Sequence, residues 1–298
     1  MADISVPWKK ITRDLANVKR YADDRVPTIE EIRKLVEYPG RRIKAIVYVM
    51  ASSGIRLGAW DFLKWGHLTP IERKGRIEAT TIIVYEGEDE QYFSFISSEA
   101  WLAVSGWMEY RRQSGEKISE HRWVMRDLWD ARETQGRGLA IKPMKLSSLG
   151  IKRLMERAIW AQGFRKKLEP GKKRHPYQTN HSLRKWFKTR CEVAGTRSIN
   201  IEMLMGHSIG VSSSYYRPTD NELLEDYLKA LPLLTISDEH RLQEQVNKLS
   251  EKAKDNDYNV RTKLQEKEEQ ISLLVEKQER FERLLQSLID SGQMKGVT

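Results

Sequence analysis

Apolar positions recur at helical spacing through most of the first part of the chain, with one short alternating interruption. Residues 41–52 have the periodicity of a buried helix that Gly54 ends, and a capping box at Thr28 starts an earlier helix. The β-branched run at 80–85 and the alternating segment at 91–96 predict a β-hairpin. Further helices are predicted over residues 57–65, 98–113, 119–130, 147–162, 180–194 and 198–205. The fold class is therefore mainly α with a small antiparallel β-sheet.

The pattern changes after Pro232, where mostly apolar residues step by three or four positions without a further proline. These residues are Leu242, Val246, Leu249, Ala253, Asn256, Val260, Leu264, Ile271, Leu274, Phe281, Leu285 and Leu288. Two successive steps of four, from Asn256 through Val260 to Leu264, mark a stutter between heptad frames. A helix of about fifty residues is too long to lie on the preceding domain, which favours a coiled coil over a lone amphipathic helix. Asn256 would fix its register.

Charge is distributed unevenly along the chain. The 298 residues carry 52 Lys and Arg and 42 Asp and Glu, a formal net charge of +10. From Ser237 onward there are 11 basic and 13 acidic residues, so residues 1–236 hold a net charge of +12. A basic domain followed by a near-neutral tail indicates a nucleic acid partner. The predicted parts are an N-terminal remnant or linker (1–24), a helical domain (25–235) and a coiled coil (237–290).

Composition excludes several classes of protein. Cys191 is the only cysteine, which excludes a disulfide framework and a zinc site built from clustered cysteines. The sequence has no apolar run of about eighteen residues and no basic-then-apolar N-terminus, so neither a membrane span nor a signal peptide is predicted. We expect a soluble intracellular protein without a membrane partner.

Five polar side chains could together perform phosphoryl transfer. They are Arg56, His181, Arg184, His207 and Tyr216. Taken singly, each has a plain structural explanation, such as a surface arginine or a histidine at a helix end. As a set, they supply forked donors for phosphodiester oxygens, histidines that donate hydrogen bonds or move protons, and a hydroxyl nucleophile. A tyrosine, with a pKa of about 10, needs such cationic surroundings to attack as phenolate.

The order of these residues resembles the catalytic domain of the tyrosine recombinases, or phage-type integrases. Motifs of that family read approximately Gly-[Leu/Ile]-Arg, His-x-Leu-Arg and Leu-[Met/Leu]-Gly-His, followed by a tyrosine nine residues after the last histidine. This chain has Gly54-Ile55-Arg56, His181-Ser182-Leu183-Arg184, Leu204-Met205-Gly206-His207 and Tyr216, in that order. The likeness covers about residues 25–235. The Ser-Tyr-Tyr-Arg-Pro stretch is most similar to archaeal integrase-like members.

The resemblance implies site-specific recombination of double-stranded DNA, as the integrase of a mobile element or virus. Tyr216 would attack a phosphodiester, form a 3′-phosphotyrosine and release a 5′-hydroxyl, with Tyr215 as a packing neighbour. Arg56 and Arg184 would hold the phosphoryl oxygens. His207 would donate to the same oxygens, and His181 would assist proton transfer from the tyrosine. No metal or other cofactor is implied, because the covalent link conserves the bond energy.

Basic residues near these motifs are expected to contact the DNA backbone. They are Lys172, Lys173, Arg174, Lys185, Lys188 and Arg190. The implied partners are DNA and further copies of the chain, which would assemble on DNA and self-associate through the coiled coil. The implied location is the cytoplasm, in association with the nucleoid, in a prokaryotic or viral mobile-element context.

The chain departs from the family pattern in three respects. The family's catalytic lysine stands on the β-hairpin turn and protonates the 5′-oxygen, whereas the turn at 86–90 is acidic here and contains no lysine. Lys74, before the first predicted strand, is the nearest candidate. Ala59 stands where the family commonly has an acidic residue, with Asp61 nearby. About 24 residues precede the catalytic domain, where relatives carry a DNA-clamping domain, so the chain is either a fragment or a compact variant.

The sequence leaves other functions open. A type IB topoisomerase-like enzyme would use the same chemistry to relax DNA, although a coiled coil, as an assembly device, favours recombination. A catalytically inactive DNA-binding or scaffolding relic of an integrase would account for the missing hairpin lysine. The motif spacing disfavours a helical assembly protein whose basic charge is incidental.

Overall fold

Helix α1 (Ile29–Glu37) begins at the predicted capping box. Thr28 Oγ1 accepts the backbone N–H of Glu31 at 3.3 Å, and the Glu31 carboxylate accepts the backbone N–H of Thr28 at 2.9 Å. Helix α2 (Arg41–Ser53) follows and ends at Gly54. In this computed structural model, the described residues are 25–128, 144–168, 170, 175–177, 179–210 and 215–290.

Among the described residues, most of the further α-helices lie close to their predicted positions. The further helices are α3 (Ser98–Gln113), α4 (Ser148–Ala161), α5 (Thr179–Val193), α6 (Ser198–Leu204), α7 (Asp220–Leu234) and α8 (Asp238–Asp290). The helix predicted over 57–65 consists of two 3₁₀ turns, Leu57–Asp61 and Trp65–His67. Helix α7 was not predicted, because Pro232 lies inside it and interrupts the apolar pattern near its end.

Three strands form an antiparallel sheet in the order β1 (Leu68–Arg73), β2 (Arg76–Val84) and β3 (Tyr92–Ser97). The β2–β3 pair confirms the predicted hairpin, with Thr80 opposite Ile96. Strand β1 was not predicted, because Pro70 and a charged end disrupt its alternation. It is an edge strand of this sheet, a position that tolerates proline. The mainly α fold with a small antiparallel sheet is confirmed.

Helix α2 lies at the centre of the core. Every residue from Ala45 to Ser53 is buried, and the helix packs against α3, α5 and β3. Its neighbours include Trp107, Trp186 and Phe187, all fully buried, and burial of such a side chain stabilises the fold by about 1.5–3 kcal/mol. The C-terminal end of α2, where the first arginine motif begins, is therefore firmly held.

Residues 119–128 are irregular, so the helix predicted over 119–130 is wrong for this part. Val124 and Met125 are adjacent and both buried. Successive residues of an extended segment point to opposite sides, so this segment is covered on both sides, whereas a surface helix buries only one face. Trp107 Nε1 donates to the carbonyl oxygen of Val124 at 2.8 Å. The segment is thus fixed by side-chain contacts from α3.

Contacts within the chain divide it into two units, Met1–Asp238 and Glu239–Thr298. All but the first residue of helix α8, which has 53 residues from Asp238 to Asp290, belong to the second unit. Apolar side chains at the predicted stepped positions are exposed on it, including Leu242, Val246, Leu249, Val260, Leu264, Ile271, Leu274 and Phe281. The long helix is therefore present, and its association into a coiled coil remains a prediction. Among the described residues, no helix has the length and apolar character required to cross a bilayer.

Candidate functional site

Two helix ends that carry predicted motifs are closed by glycines in the left-handed conformation. Gly54 follows α2 with a φ of 63°, and Gly206 follows the end of α6 with a φ of 64°. An added Cβ atom would lie 2.5 Å from Phe187 Cδ1 at the first position and 2.3 Å from Tyr92 Cε1 at the second. Both positions therefore require glycine, and the turns fix the direction in which the next residues of each motif leave the helix.

Arg184 of α5 joins these two helix ends. Its guanidinium donates to the carbonyl oxygens of Gly54 and Met205, the latter at 2.8 Å, and the residue is only 8% exposed. Carbonyls at a helix C-terminus lack intrahelical partners and need such donors. Burial lowers the pKa of Arg184 from its usual value, although an arginine stays charged at neutral pH. Arg184 is thus a fixed charge and also a brace between α2 and α6.

Arg56 contacts the same loop after α6. Its Nη2 donates to the carbonyl oxygen of Gly206 at 2.7 Å, and its Nη1 lies 3.8 Å from Glu90 Oε2. Arg56 is half-buried, whereas Glu90 at the tip of the β2–β3 turn is exposed. The two predicted arginines therefore converge on neighbouring carbonyls of one loop, although 128 residues of sequence separate them.

His207 lies between Arg184 and Glu202. Its Nε2 is 2.6 Å from Arg184 Nη2, and its Nδ1 faces the Glu202 carboxylate. Because an arginine only donates, we assign the single ring proton to Nδ1, which donates to Glu202, and Nε2 accepts from Arg184. The other oxygen of Glu202 lies 2.5 Å from Lys188 Nζ. Burial acts to raise the pKa of Glu202, but hydrogen bonds from Lys188 and His207 outweigh it and hold that pKa below its usual value.

Glu202 was not predicted as a site residue. The backbone N–H of His207 donates to the carbonyl oxygen of Glu202 at 2.9 Å, which closes the end of α6 and places the two side chains together. An acidic residue five positions before the histidine of the Gly-His motif is the sequence signal that would have identified it.

Four of the five predicted residues line one cleft of about 490 Å³. They are Arg56, His181, Arg184 and His207, and the cleft is also lined by Met50, Ile55, Leu57, Lys152, Thr179 and Asn180. Cations and imidazoles around such a cavity suit a phosphoryl group. Lys152 of α4 was not predicted to belong to it. No group of three or more His, Cys, Asp or Glu side chains that could hold a metal ion occurs among the described residues.

Tyr216 has its hydroxyl engaged outside this cleft. The hydroxyl donates to Asn200 Oδ1 at 2.8 Å and accepts from Arg197 Nη1 at 3.3 Å, and Tyr216 is not among the described residues that line the cleft. Tyr215 is 86% exposed, so the expectation that it is a packing neighbour is wrong. The two adjacent tyrosines therefore differ in environment: the Tyr216 hydroxyl is hydrogen-bonded, whereas the Tyr215 side chain is exposed.

Asn200 is a second site residue that sequence reasoning missed. It is fully buried, and its Nδ2 donates to Asp226 Oδ2 at 2.6 Å. This bond fixes the amide so that its oxygen faces the Tyr216 hydroxyl. Burial acts to raise the pKa of Asp226, but hydrogen bonds from Lys229 and Asn200 outweigh it and lower that pKa. The charged Asp226 thereby holds Asn200 in place.

Lys74 lies on the turn between β1 and β2, where its φ is 51°. It is not among the described residues that line the cleft, so the structure does not bring it together with the two arginines there. The acidic β2–β3 turn instead makes two contacts with cationic or titratable side chains. Glu86 lies 2.6 Å from His67 Nε2, and Glu90 faces Arg56 as described above.

The residues predicted to contact DNA fall into two groups. Lys185, Lys188 and Arg190 lie on α5, whereas Lys172, Lys173 and Arg174 lie outside the described residues. Lys188 is paired with Glu202, and the Arg190 guanidinium lies 4.0 Å from the centroid of the Trp186 ring. Both therefore have intramolecular partners, and DNA contact by any of the six remains a prediction.

No protein-family model and no curated protein matches the chain. Among solved structures, it is similar to XerA recombinase at 20% identity, over 72% of this chain and 66% of that one, with a TM-score of 0.44. For an integrase from mycobacterium phage Brujita the identity is 17%, the coverage 73% and 61%, and the TM-score 0.45. For the Tn1549 transposon integrase in complex with transposon right end DNA, the identity is 13% over 74% of this chain and 69% of that one, and the TM-score is 0.42. These proteins are recombinases and integrases, the kinds of protein that the sequence motifs resemble.

Proposed function

We propose that the chain breaks and rejoins DNA strands as a site-specific recombinase or integrase of the tyrosine type. The observation that carries this proposal is the cleft, which gathers Arg56, His181, Arg184 and His207 from three separate motifs around one cavity. Two guanidiniums and two imidazoles suit a phosphodiester, whose non-bridging oxygens accept forked hydrogen bonds. The net charge of +12 on residues 1–236 would attract the DNA backbone.

The arginines would bind the phosphoryl oxygens and stabilise the charge that builds on them. Because two backbone carbonyls hold Arg184, its guanidinium needs little reorganisation as that charge develops. The phosphate would displace Glu90 from Arg56. In the present geometry His207 accepts from Arg184, so it would act by orienting that guanidinium; direct donation to a phosphoryl oxygen, as expected from the sequence, would require a second ring proton.

Tyr216 would be the nucleophile. Its hydroxyl oxygen would attack phosphorus and form a 3′-phosphotyrosine, and later attack by a DNA 5′-hydroxyl would rejoin the strand. Because Asn200 and Arg197 hold the hydroxyl outside the cleft, the side chain must leave both partners before attack. His181, an exposed side chain at the cleft, would accept the phenol proton.

The proposal is tested by covalent capture of DNA. The chain is incubated with labelled duplexes of randomised sequence around one 5′-bridging phosphorothiolate, whose sulfur leaving group prevents rejoining. The expected result is a protein–DNA adduct that survives denaturing electrophoresis, and sequencing of the captured DNA would give the preferred site. Absence of adduct from the whole pool, with DNA binding intact, would contradict strand cleavage.

A second candidate is a DNA-binding relic of an integrase without catalytic activity. The specific observation in its favour is the acidic β2–β3 turn, which places Glu90 3.8 Å from Arg56, one of the two arginines that the reaction needs. Such a protein would bind DNA and form no adduct. The capture experiment therefore also distinguishes the two candidates.

Removal of the long helix is expected to lower the oligomeric state in solution. Truncation after Asp238 is preferable to an earlier cut, because Arg33 pairs with Asp238 at 2.6 Å and the Ile236 backbone N–H donates to Glu99 at 2.7 Å. If α8 forms a coiled coil, the truncation removes the apolar residues at the stepped positions through which the copies would associate. Light scattering measures the mass, and circular dichroism checks that the remaining domain is folded.

A matched pair of substitutions in the full-length chain sharpens this test. Leu274 is on the predicted seam and Leu273 is beside it, and both are exposed to a similar extent. Leu274→Glu is expected to weaken association because it places a charge in the seam, whereas Leu273→Glu is expected to leave the mass unchanged. The same number of chains per particle for the truncated and full-length proteins would contradict self-association through α8.

A further inference from the structure

Cleavage of the bond between phosphorus and the 5′-oxygen leaves an alkoxide, which is a poor leaving group unless it receives a proton. The β2–β3 turn offers no lysine for this purpose. We infer that Lys152 of α4 is the general acid, because it is the one lysine among the described residues that line the cleft with Arg56, His181 and His207. This inference rests on the proposed function.

The start of α4 is attached to the turn that follows Arg56. Asp61 Oδ1 accepts the backbone N–H of Ser148 at 3.0 Å, and Lys145 Nζ donates to the carbonyl oxygen of Asp61 at 3.1 Å. Ser147 caps the helix through its hydroxyl, which accepts the Gly150 N–H at 3.3 Å. These bonds hold the first turn of α4 beside Leu57–Asp61, and Lys152 follows it by one turn.

Burial of its neighbours fixes the direction of Lys152. Ile151 and Met155 are fully buried and anchor one face of α4 in the core, whereas Lys152 is exposed at the cleft. A lysine amine on a flexible stem can reach a leaving oxygen and exchange protons with water between steps. The side chain has no ion pair with another described residue that would withhold its proton.

The other groups at the cleft are less suited to donate this proton. Arginines do not release protons at neutral pH, which excludes Arg56 and Arg184. The single ring proton of His207 is assigned to Nδ1, which faces the Glu202 carboxylate. His181 is assigned to accept the phenol proton, and Lys188 is paired with Glu202.

The Tyr216 oxygen forms a bond to phosphorus, the phenol proton passes to His181, and the bond from phosphorus to the 5′-oxygen breaks. The ammonium of Lys152 gives its proton to the departing oxygen, so that a 5′-hydroxyl and a neutral amine result. In the reverse step, the amine removes that proton again as the 5′-oxygen attacks the phosphotyrosine.

Substitution of the leaving atom tests this step directly. A 5′-bridging sulfur leaves as a thiolate, whose conjugate acid has a pKa near ~8.5, and therefore needs no proton donor. We expect Lys152→Ala to slow adduct formation on an oxygen duplex by about 10²–10⁴-fold. On the sulfur duplex, the rate of adduct formation by this variant is expected to stay within a few-fold of the rate of the unsubstituted chain. The oxygen duplex carries a nick beside the cleavage site, so that its product accumulates.

Two further variants separate proton donation from charge. Lys152→Arg keeps the positive charge but cannot release a proton, so it is expected to show the same selective defect on oxygen. Arg153→Ala is the matched control, because it removes one charge from the adjacent position of α4 and Arg153 does not line the cleft. It is expected to leave the ratio of sulfur to oxygen rates unchanged.

The outcomes distinguish this inference from the proposed function. If the unsubstituted chain forms no adduct on the sulfur duplex, the proposed function itself is contradicted. If it forms adduct and Lys152→Ala is slowed equally on both duplexes, or on neither, Lys152 is not the proton donor. An oxygen-selective defect in Lys74→Ala, and none in Lys152→Ala, would assign the role to the turn between β1 and β2 and overturn the inference.

Discussion

Tyr216→Phe is expected to abolish the covalent protein–DNA adduct while non-covalent DNA binding persists. The substitution keeps the ring and removes the oxygen that would attack phosphorus. It also removes the hydrogen bonds to Asn200 and from Arg197, so we expect a loss of about 1 kcal/mol in the free energy of unfolding. Denaturing electrophoresis measures the adduct, a mobility shift measures binding, and urea unfolding measures stability.

Tyr215→Phe is the matched control for this prediction. Tyr215 is 86% exposed, and the described structure records no hydrogen bond from its hydroxyl, so both adduct formation and stability are expected to remain unchanged. Loss of adduct in Tyr215→Phe together with its retention in Tyr216→Phe would move the nucleophile by one residue. Adduct in both single variants would exclude either tyrosine as the sole nucleophile.

Arg184→Ala is expected to lose both adduct and stability. The rate should fall on the order of 10²–10³-fold, because a preorganised donor to the phosphoryl oxygens is gone. The carbonyl oxygens of Gly54 and Met205 would lose their buried donor, and an unsatisfied buried polar group costs about 1–3 kcal/mol. Adduct kinetics and urea unfolding on the same preparation measure the two effects.

Comparison with Arg184→Lys and Arg56→Ala separates these two effects. Lysine keeps the charge and can serve one carbonyl, so stability should recover in part, while the forked donor remains absent. Arg56 is half-buried and donates to one carbonyl oxygen, so Arg56→Ala should reduce adduct with a smaller loss of stability. Adduct formation by folded Arg184→Ala at the rate of the unsubstituted chain would remove Arg184 from the proposed chemistry.

The sequence predicted the core of the fold where local signals were strong. The capping box at Thr28 and the glycine at position 54 marked helix ends correctly, because both depend on backbone geometry within a few residues. Strand β1 and the segment 119–128 were missed, because their conformations depend on tertiary partners. Trp107, for example, donates to the carbonyl oxygen of Val124 across 17 residues of sequence.

In the candidate site, too, residues marked by local motifs were predicted, and residues placed by contacts outside these motifs were not. Order and spacing of the motifs indicated Arg56, His181, Arg184 and His207, and these four residues line one cleft. Glu202 and Asn200 carry no motif of their own. Glu202 lies beside His207 because the local turn that closes α6 brings the two together, whereas Asn200 meets Tyr216 only through tertiary contacts that also involve Asp226 of α7. Lys152 reaches the cleft through the contact of α4 with Asp61, which spacing along the chain does not reveal.

The brace formed by Arg184 has a consequence for how this protein could change over generations. A lineage that no longer needed strand cleavage would still need this arginine, because the ends of α2 and α6 depend on its hydrogen bonds. Substitutions of Arg184 would therefore still be selected against, because they would impair folding. The exposed side chains of His181 and Lys152 make no comparable structural contact with the described residues. After loss of strand cleavage, substitutions would therefore accumulate first at these two positions.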